Sequence, residues 1–195
     1  MGLREFLKGL FKKEPTQTQV DAADALLDAT VDAASKIARE NPADADARNA
    51  HGAMLHKRGR IDEAIAVYRD AIKLDPKNIM CRENLGRALK DQGKFDEALA
   101  AYRAALKINP DSADTYSELA NVLCDQGKRE EAIAELKNAL RIDPKHEQAR
   151  WNLAVQYFKG EQFAKAKNEA QTLAKLNPQY PRVQEMLAVL REKLG

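Results

Sequence analysis

Three histidines and two cysteines are the side chains here best suited to nucleophilic, proton-relay or soft-metal chemistry. Their spacing does not assemble such a centre. His51 and His56 are five residues apart, which on a helix puts them on different faces. His146 lies beside Asp143-Pro144, near a turn. Cys81 and Cys124 form no C-x-x-C pair, and neither an H-E-x-x-H motif, a Gly-rich phosphate loop nor a Ser/His/Asp set occurs. The expectation is a protein that is not an enzyme and holds no metal or cofactor. Residues suited to recognition are better placed. Trp151, Val155 and Phe158 fall at i, i+4 and i+7 and could anchor a partner. Asn49, Asn84 and Asn121 carry amides that can bridge the N–H and C=O groups of a peptide. Arg87 and Lys90 add cationic donors, which a solvated helix face with pairs such as Glu83 and Arg87 would equally explain.

Composition sets the class of molecule. The 195 residues hold 32 Lys+Arg against 30 Asp+Glu, a formal charge of +2. Such balance gives no reason to expect a nucleic-acid partner, whose mark is a clustered basic excess. Hydrophobic residues are 44% but aromatics only 6%, so alanine carries much of the apolar content and suits closely packed helices. No run of about 18 apolar residues appears, so no membrane-spanning helix is expected. Two distant cysteines suit a reducing compartment. Met1–Lys13 lacks a signal peptide's unbroken apolar core, being interrupted by Lys8.

The elements that must position these side chains recur at a fixed period. Pro42, Pro76, Pro110, Pro144 and Pro178 are each 34 residues apart, and each follows Asn or Asp. Gly59, Gly93 and Gly127 keep the same period, as do Ala64, Ala98, Ala132 and Ala166. Within one period, Ile79 to Gln92 reads as a helix with Cys81, Leu85, Ala88 and Leu89 on one side. Gly93 turns the chain. Phe95 to Ile108 is a second helix, its apolar residues at helical spacing, and Asn109-Pro110 stops it. Asp44, Asn78 and Ser112 occupy the cap before each first helix; His146 and Tyr180 fill the slot later and are expected to cap less well. One hairpin cannot bury its own apolar face, so stacking is required.

This pattern resembles the tetratricopeptide repeat (TPR). The resemblance rests on a Leu beside a small residue in the first helix, Ala, an aromatic and Ala in the second, and the closing Pro. Leu85, Gly86, Ala98, Tyr102, Ala105 and Pro110 carry it in one unit; Leu119, Ala120, Ala132, Leu136, Ala139 and Pro144 carry it in the next. It implies an all-α, right-handed helical-hairpin solenoid. Units are expected at 45–78, 79–112, 113–146 and 147–180, after a degenerate first repeat at 14–44 with one helix at about 20–40, and before a capping helix at 181–195. Val183, Met186, Leu187, Leu190 and Leu194 should line the cap's apolar face. Departures from the pattern are His51, standing in the leucine column, and Gly160, one place early for its turn.

The resemblance also implies a concave groove lined by the first helix of each unit. It points to Asp46, Asn49, Ala53 and His56; Met80, Glu83, Arg87 and Lys90; Asp114, Ser117, Asn121 and Cys124; and Gln148, Trp151, Val155 and Phe158. The partner-binding set is therefore Asn49, Asn84, Arg87, Lys90, Asn121, Trp151, Val155 and Phe158. For the last three an alternative stands, packing against the cap helix through Met186 and Val189. Ala53, Asp114 and Glu118 do not fit the family's two-carboxylate clamp for chaperone tails, so that ligand is not expected. Cys124 near His56 in the groove would be a remote metal or thiol site; packing is the plainer role for a helical cysteine.

Met1–Lys13 stands apart. Leu3, Phe6, Leu7, Leu10 and Phe11 share one helical face, with Arg4, Lys8, Lys12 and Lys13 elsewhere. It reads as a helix that docks on a membrane surface or partner, or that caps the first repeat. The functional expectation is a protein-interaction scaffold taking a peptide or helix in its groove. The alternatives are a membrane-surface assembly factor tethered by residues 1–13, or a regulatory subunit of a separate enzyme. Localisation is expected to be cytoplasmic, or peripheral at the inner face of a membrane. Oligomeric state is left open.

Overall fold

A computed structural model describes residues 17–195. The described residues form ten helices and no strand: α1 (Gln17–Glu40), α2 (Ala45–Lys57), α3 (Ile61–Leu74), α4 (Ile79–Asp91), α5 (Phe95–Ile108), α6 (Ala113–Asp125), α7 (Arg129–Ile142), α8 (Glu147–Lys159), α9 (Phe163–Leu176) and α10 (Val183–Leu194). Each packs on the next, so the molecule is an all-α solenoid of stacked hairpins. The proposed docking residues Leu3, Phe6, Leu7, Leu10 and Phe11 lie outside the described residues.

The period has a local cause at each boundary. Asp44, Asn78 and Ser112 accept N–H groups of the first turns of α2, α4 and α6. His146 does the same for α8, its Nδ1 accepting the Ala149 N–H at 3.2 Å. It caps by ring geometry, contrary to the weak cap expected from residue type. Between the helices of a unit, Gly59, Gly93 and Gly127 adopt φ of 83°, 76° and 74°. There Arg60 N–H returns to Leu55 O and Lys94 N–H to Leu89 O, closing the helix ends in the left-handed turn that glycine favours. The fourth unit makes the same turn on Glu161, at φ 58°. Gly160 is one place early, so a residue with a side chain bears the left-handed conformation.

The second helices end in a shared device. Asp75, Asn109, Asp143 and Asn177 are extended, as a residue before proline must be. Their side chains accept the N–H two residues on, at 2.9–3.2 Å. This Asx turn is the physical reason that Asn or Asp precedes Pro76, Pro110, Pro144 and Pro178, while Asn41 instead donates its amide to Ile37 O at 2.9 Å. Arg48, Arg82 and Arg150 then reach back to the carbonyls of Pro42, Pro76 and Pro144.

A continuous core runs through the array. Ala64, Ala98, Ala132 and Ala166 are fully buried, as are Tyr68, Tyr102 and Leu136. α10 closes the far end through Val183, Leu187 and Leu190; Leu194 follows on the same face by spacing and is exposed in the last turn. At the near end, α1 begins at Gln17, three residues before the start expected at about 20. The Gln17 amide donates to Asp21 at 2.8 Å, an i,i+4 bond that supports that first turn.

Candidate functional site

First helices form one wall of the array. α2 touches α4, α4 touches α6 and α6 touches α8, while each second helix packs between first helices. That wall carries the residues that the sequence singles out for recognition.

Two tyrosines cross into it from behind. Tyr68 on α3 and Tyr102 on α5 press against Gly52 and Gly86. A Cβ on Gly52 would lie 2.6 Å from the Tyr68 ring, and one on Gly86 2.9 Å from the Tyr102 ring. With no side chain in the way, each ring passes through the first-helix layer. Tyr68 lines a cleft with Ala53, His56, Asn84 and Arg87. Tyr102 lines another, of about 300 Å³, with Glu83, Arg87, Ser117, Glu118 and His146. The Tyr102 hydroxyl is buried and has no hydrogen-bond partner in the protein. Burial raises its pKa well above the phenol range, the carboxylates of Glu118, Asp91 and Glu83 push the same way, and Arg87 opposes them. The phenol is thus neutral, its hydroxyl buried behind the cleft.

The asparagines are tied to one another. Asn84 donates to the Asn49 carbonyl at 2.9 Å, and Asn152 donates to Asn121 at 2.7 Å. Asn49 is buried, so its amide joins α2 to α4 and offers a ligand little surface. Similar cross-links join neighbouring units at the cap: Asn78 to Asp46 at 2.8 Å, His146 Nε2 to Asp114 at 3.0 Å, and Tyr180 Oη to Gln148 at 3.2 Å. Met80 occupies the acceptor's place in the remaining unit and cannot serve. Lys90 is paired with Glu118 at 3.6 Å. Arg87 is exposed, borders both tyrosine clefts, and makes only a 3.3 Å contact to Asn84. Of the polar set it is the group with most capacity to spare.

Trp151, Val155 and Phe158 of α8 meet α10 across a cleft of about 310 Å³, completed by Met186 and Val189. Trp151 packs on Tyr180 with the rings tilted at 41° and their centroids 5.7 Å apart, and Phe158 meets Phe163 edge-on at 5.6 Å. The three are half-buried. They pack toward the cap helix and still wall an open apolar cleft, with Arg182 and Glu185 at its rim. The two readings of these residues are compatible.

His56 is paired with Asp91 at 2.8 Å, and Cys124 has Lys159 and Asp125 as charged neighbours. Among the described residues no group of three or more His, Cys, Asp or Glu comes together. Burial pushes the Cys81 thiol up to about 11 and raises that of Cys124. Neither is an activated nucleophile at neutral pH. No helix among the described residues is long and apolar enough to cross a membrane. Sequence reasoning missed Tyr68 and Tyr102 as wall residues, because a second-helix aromatic reads as core. The glycine in the facing column was the available signal.

Comparison with known proteins follows the same lines. The family model described as TPR repeat matches residues 52–93 and 86–123, and that described as Tetratricopeptide repeat matches residues 125–190. No curated protein matches the chain by sequence. Among solved structures, Pseudomonas aeruginosa pilF is similar at 24% identity and a TM-score of 0.70, over 79% of this chain and 70% of that one. A thermophilic TPR protein of Thermus thermophilus is 20% identical at a TM-score of 0.68, over 90% and 95%. YrrB, described as a TPR protein with an unusual peptide-binding site, is 18% identical at a TM-score of 0.67, over 83% and 84%. At these identities the likeness is one of fold.

Proposed function

The chain belongs to the tetratricopeptide-repeat family, and from that premise we propose that it is a non-enzymatic scaffold holding a peptide segment of a partner protein along the wall of α2, α4, α6 and α8. One observation carries the reading: the apolar cleft between α8 and α10, about 310 Å³, walled by Trp151, Val155 and Phe158. An aliphatic or aromatic side chain entering it would displace water from apolar surface, the main source of affinity at such sites. Further along the wall, the exposed Arg87 supplies donors for the peptide's carbonyls or a carboxylate. The asparagine pairs serve this reading indirectly, by holding successive first helices in register before a ligand arrives. A peptide ligand also accords with the binding site named for YrrB.

The test is selection of binders from a displayed random-peptide library. The expected winners carry a large apolar residue and lose about 10–100-fold in affinity to Trp151→Ala or Phe158→Ala. Arg69→Ala, on the outer helix α3, should bind as wild type does. Absence of enrichment, or equal binding by the cleft variants, would refute the reading.

A further inference from the structure

The cleft between α2 and α4, of about 290 Å³, differs in charge from the two beyond it along the wall. Its lining holds Lys57, Arg87, His56 and Asn84 and no carboxylate. The next cleft is lined by Glu83, Asp114 and Glu118, and the one between α8 and α10 is mainly apolar. Small residues open the first. Ala53, Arg87, Asn121 and Val155 stand 34 residues apart, one on each first helix. Of these four only Ala53 ends at Cβ, and Gly52 beside it has no side chain. The room they leave is backed by the Tyr68 ring.

The two cations of this cleft are uncommitted. Lys57 and Arg87 are exposed and form no ion pair among the described residues. Arg87 is nonetheless held in place. Asn49, 6% exposed, accepts from the Asn84 amide at 2.9 Å, and Asn84 Oδ1 accepts from Arg87 Nη1 at 3.3 Å. This chain of bonds uses one guanidinium N–H and one Asn84 N–H and leaves the others to a ligand.

We propose that the cleft takes a carboxylate of the partner peptide, on an acidic side chain or at the chain end, between Lys57 and Arg87. The inference rests on the peptide reading above and adds the charge of the ligand. A guanidinium meets a carboxylate through two parallel N–H groups, and an ammonium on a flexible stem completes the contact. Charge balance selects the anion. Two cations line the cleft, and Asp91, which bonds His56 at 2.8 Å, sets one carboxylate beside it. A surplus of one positive charge suits a carboxylate better than a phosphate dianion. The site is not the family's two-carboxylate clamp, which Ala53, Asp114 and Glu118 exclude. A bound segment is thus acidic where it crosses α2 and α4 and apolar where it crosses α8.

The experiment is a titration of the full chain followed through the Asn84 side-chain amide by nitrogen–proton NMR. The probes are N-acetylglutamate methylamide, with its carboxylate on the side chain, N-acetylalanine, with its carboxylate at the chain end, and N-acetylglutamine methylamide, which has none. Saturable shifts are expected with a carboxylate probe and not with the glutamine one, and the tighter of the two carboxylates names the source. Lys57→Gln and Arg87→Gln should each weaken binding about tenfold. Ala53→Leu should abolish it by filling the cleft at unchanged charge, whereas Arg69→Gln, on the outer helix α3, should bind as wild type does. Circular dichroism melts establish that each variant is folded. The proposal is overturned by equal shifts with the glutamine probe, by saturation with neither carboxylate, or by wild-type binding in Arg87→Gln. Binding that survives Ala53→Leu but falls in Arg69→Gln would mark a general effect of surface charge and also overturn it. The probes are one residue long and cannot reach from α4 to the α8–α10 cleft, so their failure leaves the apolar cleft standing, and failure of the peptide selection leaves this site standing.

Discussion

Replacing Gly86 by Ala should destabilise the array although alanine is the better helix former. The new Cβ would lie 2.9 Å from Tyr102 Cε2 and Cζ and 3.0 Å from Cε1. Carbon atoms in ordinary contact stand roughly 3.5–4.0 Å apart, so the ring must retreat by about half an ångström or more. Tyr102 is fully buried. Overpacking of this kind costs about 1–3 kcal/mol, and the gain in helix propensity offsets about 1 kcal/mol of that. The expected net loss is therefore about 1 kcal/mol, and larger for Gly52→Ala, where the contact would be 2.6 Å. The next unit supplies the control, since it holds Ala120 and Leu136 in the same two columns, both fully buried. Tyr102→Leu alone should cost about 2 kcal/mol through the space it empties. The Gly86→Ala/Tyr102→Leu pair should cost at least about 1 kcal/mol less than the sum of the single changes. Urea unfolding followed by circular dichroism and Trp151 fluorescence measures all three. If Gly86→Ala is stabilising by about 1 kcal/mol whatever occupies residue 102, the glycine is not making room for the ring, and the account of how tyrosine reaches the wall fails.

Glu161→Gly should stabilise the fourth unit by about 0.5–1 kcal/mol, because residue 161 sits at φ 58° where a side chain is strained; an unchanged urea midpoint would mean the turn has relaxed in solution. His51→Leu restores the leucine column and should add about 1 kcal/mol. Its effect should grow with acid: burial first, then Arg60 and Arg39, hold the His51 pKa below 6.5, so the unfolded chain takes up the proton more readily and the wild type loses stability as pH falls below that value. Melting curves of the two proteins should therefore diverge toward low pH. At high pH the buried acids act in the other direction. Cys81 rises from 9.0 to about 11 and Tyr68 from 10.0 to about 12, both through burial. Their neutral forms stabilise the fold fully below pH 9, and that contribution is lost as pH climbs toward 12. Thermal melts across this range should show a decline that is shallower in Cys81→Ala, once its cavity cost is subtracted at neutral pH.

Much of the architecture was legible without coordinates, because it is written in short-range chemistry. A proline every 34 residues ends a helix wherever it stands, and glycine permits the tight turn between helices. The registers of Ala64, Ala98 and Ala132 follow from helical periodicity alone. The candidate site was legible in part. Trp151, Val155 and Phe158 were identifiable as aromatics and aliphatics beyond those needed at Leu153, Ala154 and Tyr157.

Other features depend on which side chain meets which across units, and residue type does not say. His146 has an unpromising type for a cap, yet its ring fits between the Ala149 N–H and Asp114 of the preceding unit. Asn49 and Asn84, alike in sequence to free groove amides, face one another at 2.9 Å and join two helices. Tyr102 belongs to a core column, but it also lines a cleft because Gly86 leaves room for its ring. Spacing along the chain determined the helices, their ends and their repetition, since those rest on backbone hydrogen bonds and steric limits within a few residues. The stacking of one unit on another decided which polar groups are spent in the fold and which remain for a partner, because that turns on distances between residues some 30 positions apart.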